Sequence, residues 1–80
     1  MSNARPAVAV DAEWNAGDLG CGELVLELRG RLQALGPGRV LRLIARDPGA
    51  PADIPAWCRM TGHVLVSEQP PVYLIRRKEQ

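Results

Sequence analysis

The pattern of hydrophobic and polar positions divides this chain into six segments, beginning with a strand. Residues 7–11 read AVAVD, a short apolar run typical of a buried strand. Residues 12–20 read AEWNAGDLG, and their Asn, Asp and Gly residues are typical of a loop. The sequence therefore predicts a strand over residues 7–11 and a loop that leads to Cys21.

Residues 22–35 have the spacing of an amphipathic helix. Apolar side chains recur on one side of the helical period, and charged or polar ones fall largely on the other. The segment Gly36-Pro37-Gly38 ends this helix, because Gly accepts a left-handed cap and Pro cannot continue the hydrogen-bond ladder. The apolar positions are Leu24, Val25, Leu28, Leu32 and Leu35, and the opposite ones are Glu27, Arg31 and Gln33.

Residues 39–46 read RVLRLIAR and predict a strand with one buried and one mixed face. Successive side chains of a strand point to opposite faces of the sheet. The segment Asp47-Pro48-Gly49 follows as a turn. The buried face carries Leu41, Leu43 and Ala45, and the mixed face carries Val40, Arg42, Ile44 and Arg46.

A second helix is predicted over residues 51–62, followed by two strands. Pro55 falls in about the first turn of this helix, where a missing amide is tolerated. Residues 63–67 and 72–77 are predicted as strands, joined by a connection over residues 68–71. The helix positions that share one side are Ile54, Trp57, Cys58 and Thr61.

The element order βαβαββ predicts an α/β two-layer sandwich, a four-stranded mixed sheet with both helices on one face. Right-handed crossovers through the helices make their flanking strands parallel, and the last two strands form an antiparallel pair. The other face of the sheet is left open. Val40, Ile44 and one face of the last strand make it partly apolar, which suits either a partner surface or an ordinary solvated sheet.

Eighty residues suffice for one hydrophobic core, so we expect residues 1–5 to be a flexible terminus and residues 6–80 a single domain. A net charge of +1 argues against direct binding of nucleic acid. No apolar run has the length of a membrane span and no secretory signal opens the chain, which predicts a cytoplasmic protein. Two cysteines are too few for a disulfide framework, and we expect both to be reduced thiols.

Cys21 is the strongest candidate for chemistry. Gly20 and Gly22 flank it without side chains, and unpaired amides of the first helical turn favour its thiolate, the nucleophilic form. The carboxylate of Glu23 opposes that effect, so the direction of the pKa shift stays open. A small apolar residue packed under the loop is an equal alternative for Cys21.

Cys58 and His63 are weaker candidates. Cys58 lies on the apolar side of the second helix, which indicates a buried structural residue. One His and two Cys make no complete zinc site at recognised spacing, and no metal is predicted. A Cys-His dyad of the protease type has no supporting signature.

From about Asn15 to Lys78 the sequence resembles the TusA/SirA family of sulfur carriers. The stretch DPGAPADIPAWCRMTGHVLV looks like that family's D-P-x-x-x-x-D-I-P-x-aromatic-C-x-x-x-x-H-x-L segment, and YLIRRK resembles its closing strand. Cys21 matches the family's catalytic cysteine, with Leu19, Gly20, Gly22 and Glu23 as the supporting loop. The family's fold is a βαβαββ two-layer sandwich.

The resemblance implies that Cys21 carries sulfur as a persulfide, with no cofactor. A donor protein such as a cysteine desulfurase would supply the sulfur and a downstream acceptor protein would take it. This chain departs from the family's C-P-x-P signature, since Gly22 and Leu24 replace both prolines, and Asn15 and Asp18 alter the D-x-x-G-x-x-C lead-in. The alternative is an interaction module that kept the fold without the transfer. Donor, acceptor, pathway and oligomeric state are left open.

Overall fold

The computed structural model describes residues 9–79 and contains the six elements that the sequence predicts, in the predicted order. No helix in the described part of the chain is long and apolar enough to cross a membrane. The strands are β1 (Ala12–Gly17), β2 (Val40–Ala45), β3 (Val64–Gln69) and β4 (Val72–Arg76), and the helices are α1 (Cys21–Leu35) and α2 (Ala50–Thr61).

The four strands form one mixed sheet in the order β1-β2-β4-β3. β1 is parallel to β2, whereas β4 is antiparallel to both of its neighbours, β2 and β3. Leu43 lies at the centre of the sheet, opposite Trp14 on one side and Tyr73 on the other. The predicted pairing is confirmed, and the last strand lies between the second and the third.

A single hydrophobic core joins both helices to one face of the sheet, which confirms the two-layer sandwich. Alternate residues of β2 and β4 point into it, as their buried side chains show. The Tyr73 ring is fully buried, and its hydroxyl has no hydrogen-bond partner in the described part of the chain. The large aliphatic residues that are fully buried are Leu24, Leu28, Leu32, Leu41, Leu43, Ile54 and Ile75.

The position of the first strand differs from the prediction. Residues 7 and 8 lie outside the described part, and residues 9–11 are not in a strand, whereas the predicted loop supplies β1 at Ala12–Gly17. Trp14 and its neighbours at two-residue spacing pack against the core, and the parallel ladder with β2 satisfies their backbone groups. Asn15 Oδ1 accepts a hydrogen bond from the Gly17 N–H (2.9 Å) at a bulge. The Asn and Gly that suggested a loop therefore shape the end of a strand.

Two further details differ from the expectations. Val40, assigned to the open face of the sheet, is only 6% exposed. It lies opposite Arg76 of β4, and its N–H donates a hydrogen bond to Asp11, just before β1. Pro55 lies inside α2 as its sixth residue, beyond the first turn, since the helix begins at Ala50. Pro51 occupies the early position at which proline is favoured. β3 extends to Gln69, so that Pro70 and Pro71 alone connect it to β4.

Candidate functional site

Cys21 is the first residue of α1 and lies at the edge of the sheet where β1 and β2 both end. The backbone of Gly20 caps the helix in an extended conformation, and the first helical hydrogen bond runs from the Leu24 N–H to the Gly20 carbonyl (2.8 Å). The amide N–H groups before Leu24 belong to the unpaired first turn. Cys21 is half-buried at this position.

The Cys21 thiol is hydrogen-bonded to a carboxylate from the next loop of the chain. Its Sγ donates to Asp47 Oδ2 at 3.0 Å, and the same oxygen accepts the Gly49 N–H at 2.9 Å. Asp53, in the first turn of α2, brings a second carboxylate to the thiol. Gly49 lies among these groups: a Cβ added there would be 3.6 Å from the Cys21 Sγ and 3.2 Å from an Asp53 oxygen. The site is therefore a thiol between two carboxylates.

These surroundings favour the protonated form of the Cys21 thiol. Burial raises its pKa to about 12, and the hydrogen bonds and negative charges of Asp47 and Asp53 act in the same direction. The sequence had left the direction of the shift open and considered Glu23 as the opposing carboxylate. In the structure the carboxylates that raise the pKa of the Cys21 thiol are those of Asp47 and Asp53. At neutral pH the resting thiol is protonated and donates its hydrogen bond.

An apolar groove of about 340 Å³ opens beside Cys21. Its walls come from α1 and α2, and Met60 at its rim is 77% exposed. The groove leaves one side of Cys21 open to solvent. The residues that line it are Cys21, Gly22, Val25, Asp53, Ala56, Trp57 and Met60.

The four loop residues predicted to support Cys21 do not all share its surroundings. Gly22 lines the same groove, and a Cβ at Gly20 or Gly22 would meet nothing within 4 Å. Leu19 is half-buried against the core and, with Glu23, lines a different depression on the outer side of α1. Asp47 and Asp53 were not predicted as part of the site, although both follow β2. Loops that follow neighbouring parallel strands meet at one sheet edge, and this rule could have found them.

The side chains of Cys58 and His63 have the packing and hydrogen bonding of structural residues. Cys58 is 2% exposed, and burial raises its pKa to about 11. His63 Nδ1 accepts a hydrogen bond from the Lys78 backbone N–H (3.0 Å), and its ring centre is 5.3 Å from that of Trp57. Both cysteines are free thiols. Within residues 9–79, no cluster of three or more His, Cys, Asp or Glu side chains is arranged to hold a metal ion.

Comparison with known proteins finds similarity to one protein family. Residues 12–77 match the family model described as Sulfurtransferase TusA. Among similar proteins, the "Sulfur carrier protein TusA" of Pseudomonas aeruginosa (strain LESB58) is 40% identical over 74 residues, covering 88% of this chain and 94% of that protein. The protein of the same name from Pseudomonas syringae pv. syringae (strain B728a) is 40% identical over 82 residues, covering 98% of each chain. The match to the family model begins at the first residue of β1 and ends one residue after β4.

Proposed function

This chain belongs to the sulfurtransferase TusA family, and we propose that it is a sulfur carrier that holds sulfane sulfur as a persulfide on Cys21. The observation that carries the proposal is the half-buried Cys21 thiol, which opens on an apolar groove at the start of α1. Relatives named as sulfur carriers support it. A donor protein loads the sulfur, and an acceptor protein receives it.

The loading step is an exchange between a thiol and a persulfide. The Cys21 Sγ attacks the outer sulfur of the donor's persulfide, a new S–S bond forms on Cys21, and the donor's S–S bond breaks. The donor leaves as a thiol, so one proton passes from Cys21 to the donor and no electrons are gained or lost overall. Delivery repeats the same exchange, with the acceptor's nucleophile attacking the outer sulfur on Cys21. We assign the donor to the class of cysteine desulfurases.

The two cysteines differ in their suitability for this step. Cys58 is 2% exposed and packed in the core, so a donor's persulfide cannot reach it while the chain is folded. Cys21 lies at the surface end of α1, with no side chain at Gly20 or Gly22 to obstruct the approach. We therefore assign the carrier role to Cys21. Leu19 and Gly20 before it, and Gly22 and Glu23 in the first turn of α1, are the residues that present it. We also propose that residues 6–80 fold as one domain and that the protein works in the cytoplasm, where thiols stay reduced.

Mass measurement of the intact protein tests this function. The purified chain is incubated with a cysteine desulfurase and cysteine, and we expect its mass to increase by one sulfur atom. Cys21→Ser should gain nothing, whereas the matched control Cys58→Ser should still be loaded. A folded wild-type chain that takes up no sulfur from several desulfurases would contradict the proposal and favour an interaction module.

A further inference from the structure

We propose that Asp47 is the proton acceptor for the Cys21 thiol during sulfur loading. This inference rests on the proposed function and adds a second catalytic residue to it. The motivating contact is the hydrogen bond from the Cys21 Sγ to Asp47 Oδ2, 3.0 Å long, which joins the start of α1 to the segment after β2.

The Asp47 carboxylate is held in place for this task. The Gly49 N–H donates to the same Oδ2 (2.9 Å), and the Asp47 carbonyl accepts the Ala50 N–H (2.9 Å) as α2 begins. A short polar side chain bonded to its own backbone two residues further along forms a rigid turn. One oxygen therefore stays directed at the sulfur without help from a partner protein.

The state of the thiol requires such an acceptor. Thiolate is the form that attacks sulfur, and the Cys21 thiol is protonated at neutral pH in its resting surroundings. In the proposed step the S–H proton moves to Asp47 Oδ2 as the Sγ–S bond to the donor's outer sulfur forms and the donor's S–S bond breaks. Asp47 then returns the proton to the departing donor thiolate. The products are the Cys21 persulfide and the donor thiol, so atoms, charge and electrons balance.

Comparing Asp47 with Asp53 distinguishes a residue that accepts the thiol proton from one that acts only through its negative charge. Both carboxylates raise the pKa of the Cys21 thiol, so neutralising either one makes thiolate easier to form. If Asp47 acted only through its charge, Asp47→Asn would load faster than wild type, as Asp53→Asn should. If Asp47 accepts the proton, the Cys21 thiol of Asp47→Asn is more acidic than that of wild type, and the variant nevertheless loads more slowly than wild type.

The experiment measures two quantities on the full chain and its variants. Ultraviolet titration of the thiolate, with a Cys21→Ser spectrum subtracted, reports ionisation, and single-turnover loading from a persulfidated cysteine desulfurase reports the rate. For Asp47→Asn we expect the titration to move to lower pH and loading near pH 7 to fall roughly a hundredfold, the usual order for a lost proton acceptor. For Asp53→Asn we expect the titration also to move to lower pH and loading to be faster than in wild type.

The outcomes separate this proposal from the function on which it rests. Loading by Asp47→Asn at or above the wild-type rate would overturn the role of Asp47 and leave the carrier function intact. A wild-type chain that is never loaded would overturn the function itself. If Asp47→Asn does not fold, Asp47→Ser takes its place, because a Ser hydroxyl can still accept the Gly49 N–H but is too weak a base to take the Cys21 proton. Loading by Asp47→Ser should again be slow, and loading at or above the wild-type rate would contradict the proposal.

Discussion

Replacing Gly22 by proline tests whether the start of α1 tolerates the residue that the family's signature places after the cysteine. Gly22 is the second residue of the helix, and its N–H precedes the first helical hydrogen bond. A Cβ there would meet nothing within 4 Å, and Gly22 is not among the glycines with positive φ. α2 already has Pro51 at the same second position. We therefore expect Gly22→Pro to fit without strain.

The expected gain in stability comes from the unfolded chain. Proline restricts the unfolded backbone more than glycine does, and at a compatible site this adds about 0.4–1 kcal/mol to the free energy of unfolding. In a domain of this size, 1 kcal/mol corresponds to a shift of about 4–8 °C in the melting temperature. We thus expect Gly22→Pro to melt roughly 2–8 °C above wild type.

Thermal unfolding followed by circular dichroism at neutral pH measures this shift. Gly36→Pro is the matched control, because Gly36 has a φ of 94° that proline cannot adopt, and it should melt well below wild type. A lower melting temperature for Gly22→Pro would refute the reasoning and show that the loop before α1 needs glycine. Loading of Cys21 with sulfur should survive in Gly22→Pro, since the Cys21 and Asp47 side chains are unchanged.

Two further predictions concern the core and the acid stability of the fold. Cys58→Ala should lower the free energy of unfolding by about 1 kcal/mol in urea titrations, because it leaves a small cavity, while sulfur loading stays at the wild-type level; lost loading in a folded variant would move the chemistry to Cys58. The hydrogen bond from the Val40 N–H lowers the pKa of the Asp11 carboxyl from its ordinary value of 3.8. The ionised carboxyl therefore stabilises the fold above pH 3.8, and this stabilisation is lost as the pH falls through the lowered pKa of the folded state. Asp11→Asn should therefore melt below wild type near pH 6 and converge with it in acid, and a constant difference down to pH 2 would contradict this.

The sequence predicted those parts of the fold that depend on local spacing. Leu24, Leu28 and Leu32 of α1 recur at a spacing of four residues and are buried as expected, and glycines end both helices. The first strand was misplaced, because Asn15 and Gly17 are turn residues by composition and only the pairing with β2 makes their segment a strand. Pairing with a segment almost thirty residues away leaves no local signal.

The candidate site divides in the same way. Cys21 and its position at the start of a helix follow from the order of residues in one stretch of chain. Its partner Asp47 lies 26 residues further along, in a turn whose Asp, Pro and Gly were explained as turn residues alone. The sequence therefore indicated the nucleophile, whereas the groups that govern its proton depend on how two βα loops meet in space.

The position of β4 also determines when this protein can fold during synthesis. β4 pairs with β2 and with β3, so these two strands cannot join one sheet until residues 72–76 have been made. While the ribosome still holds that segment, β2 lacks its inner neighbour, β3 lacks any partner strand, and the helices lack the Tyr73 and Ile75 side chains that complete the core. Because domains generally fold as units, we expect this one to fold only after residues 72–76 have emerged from the ribosome. Until then the unfinished chain exposes unpaired strand edges, which can pair with strands of other chains.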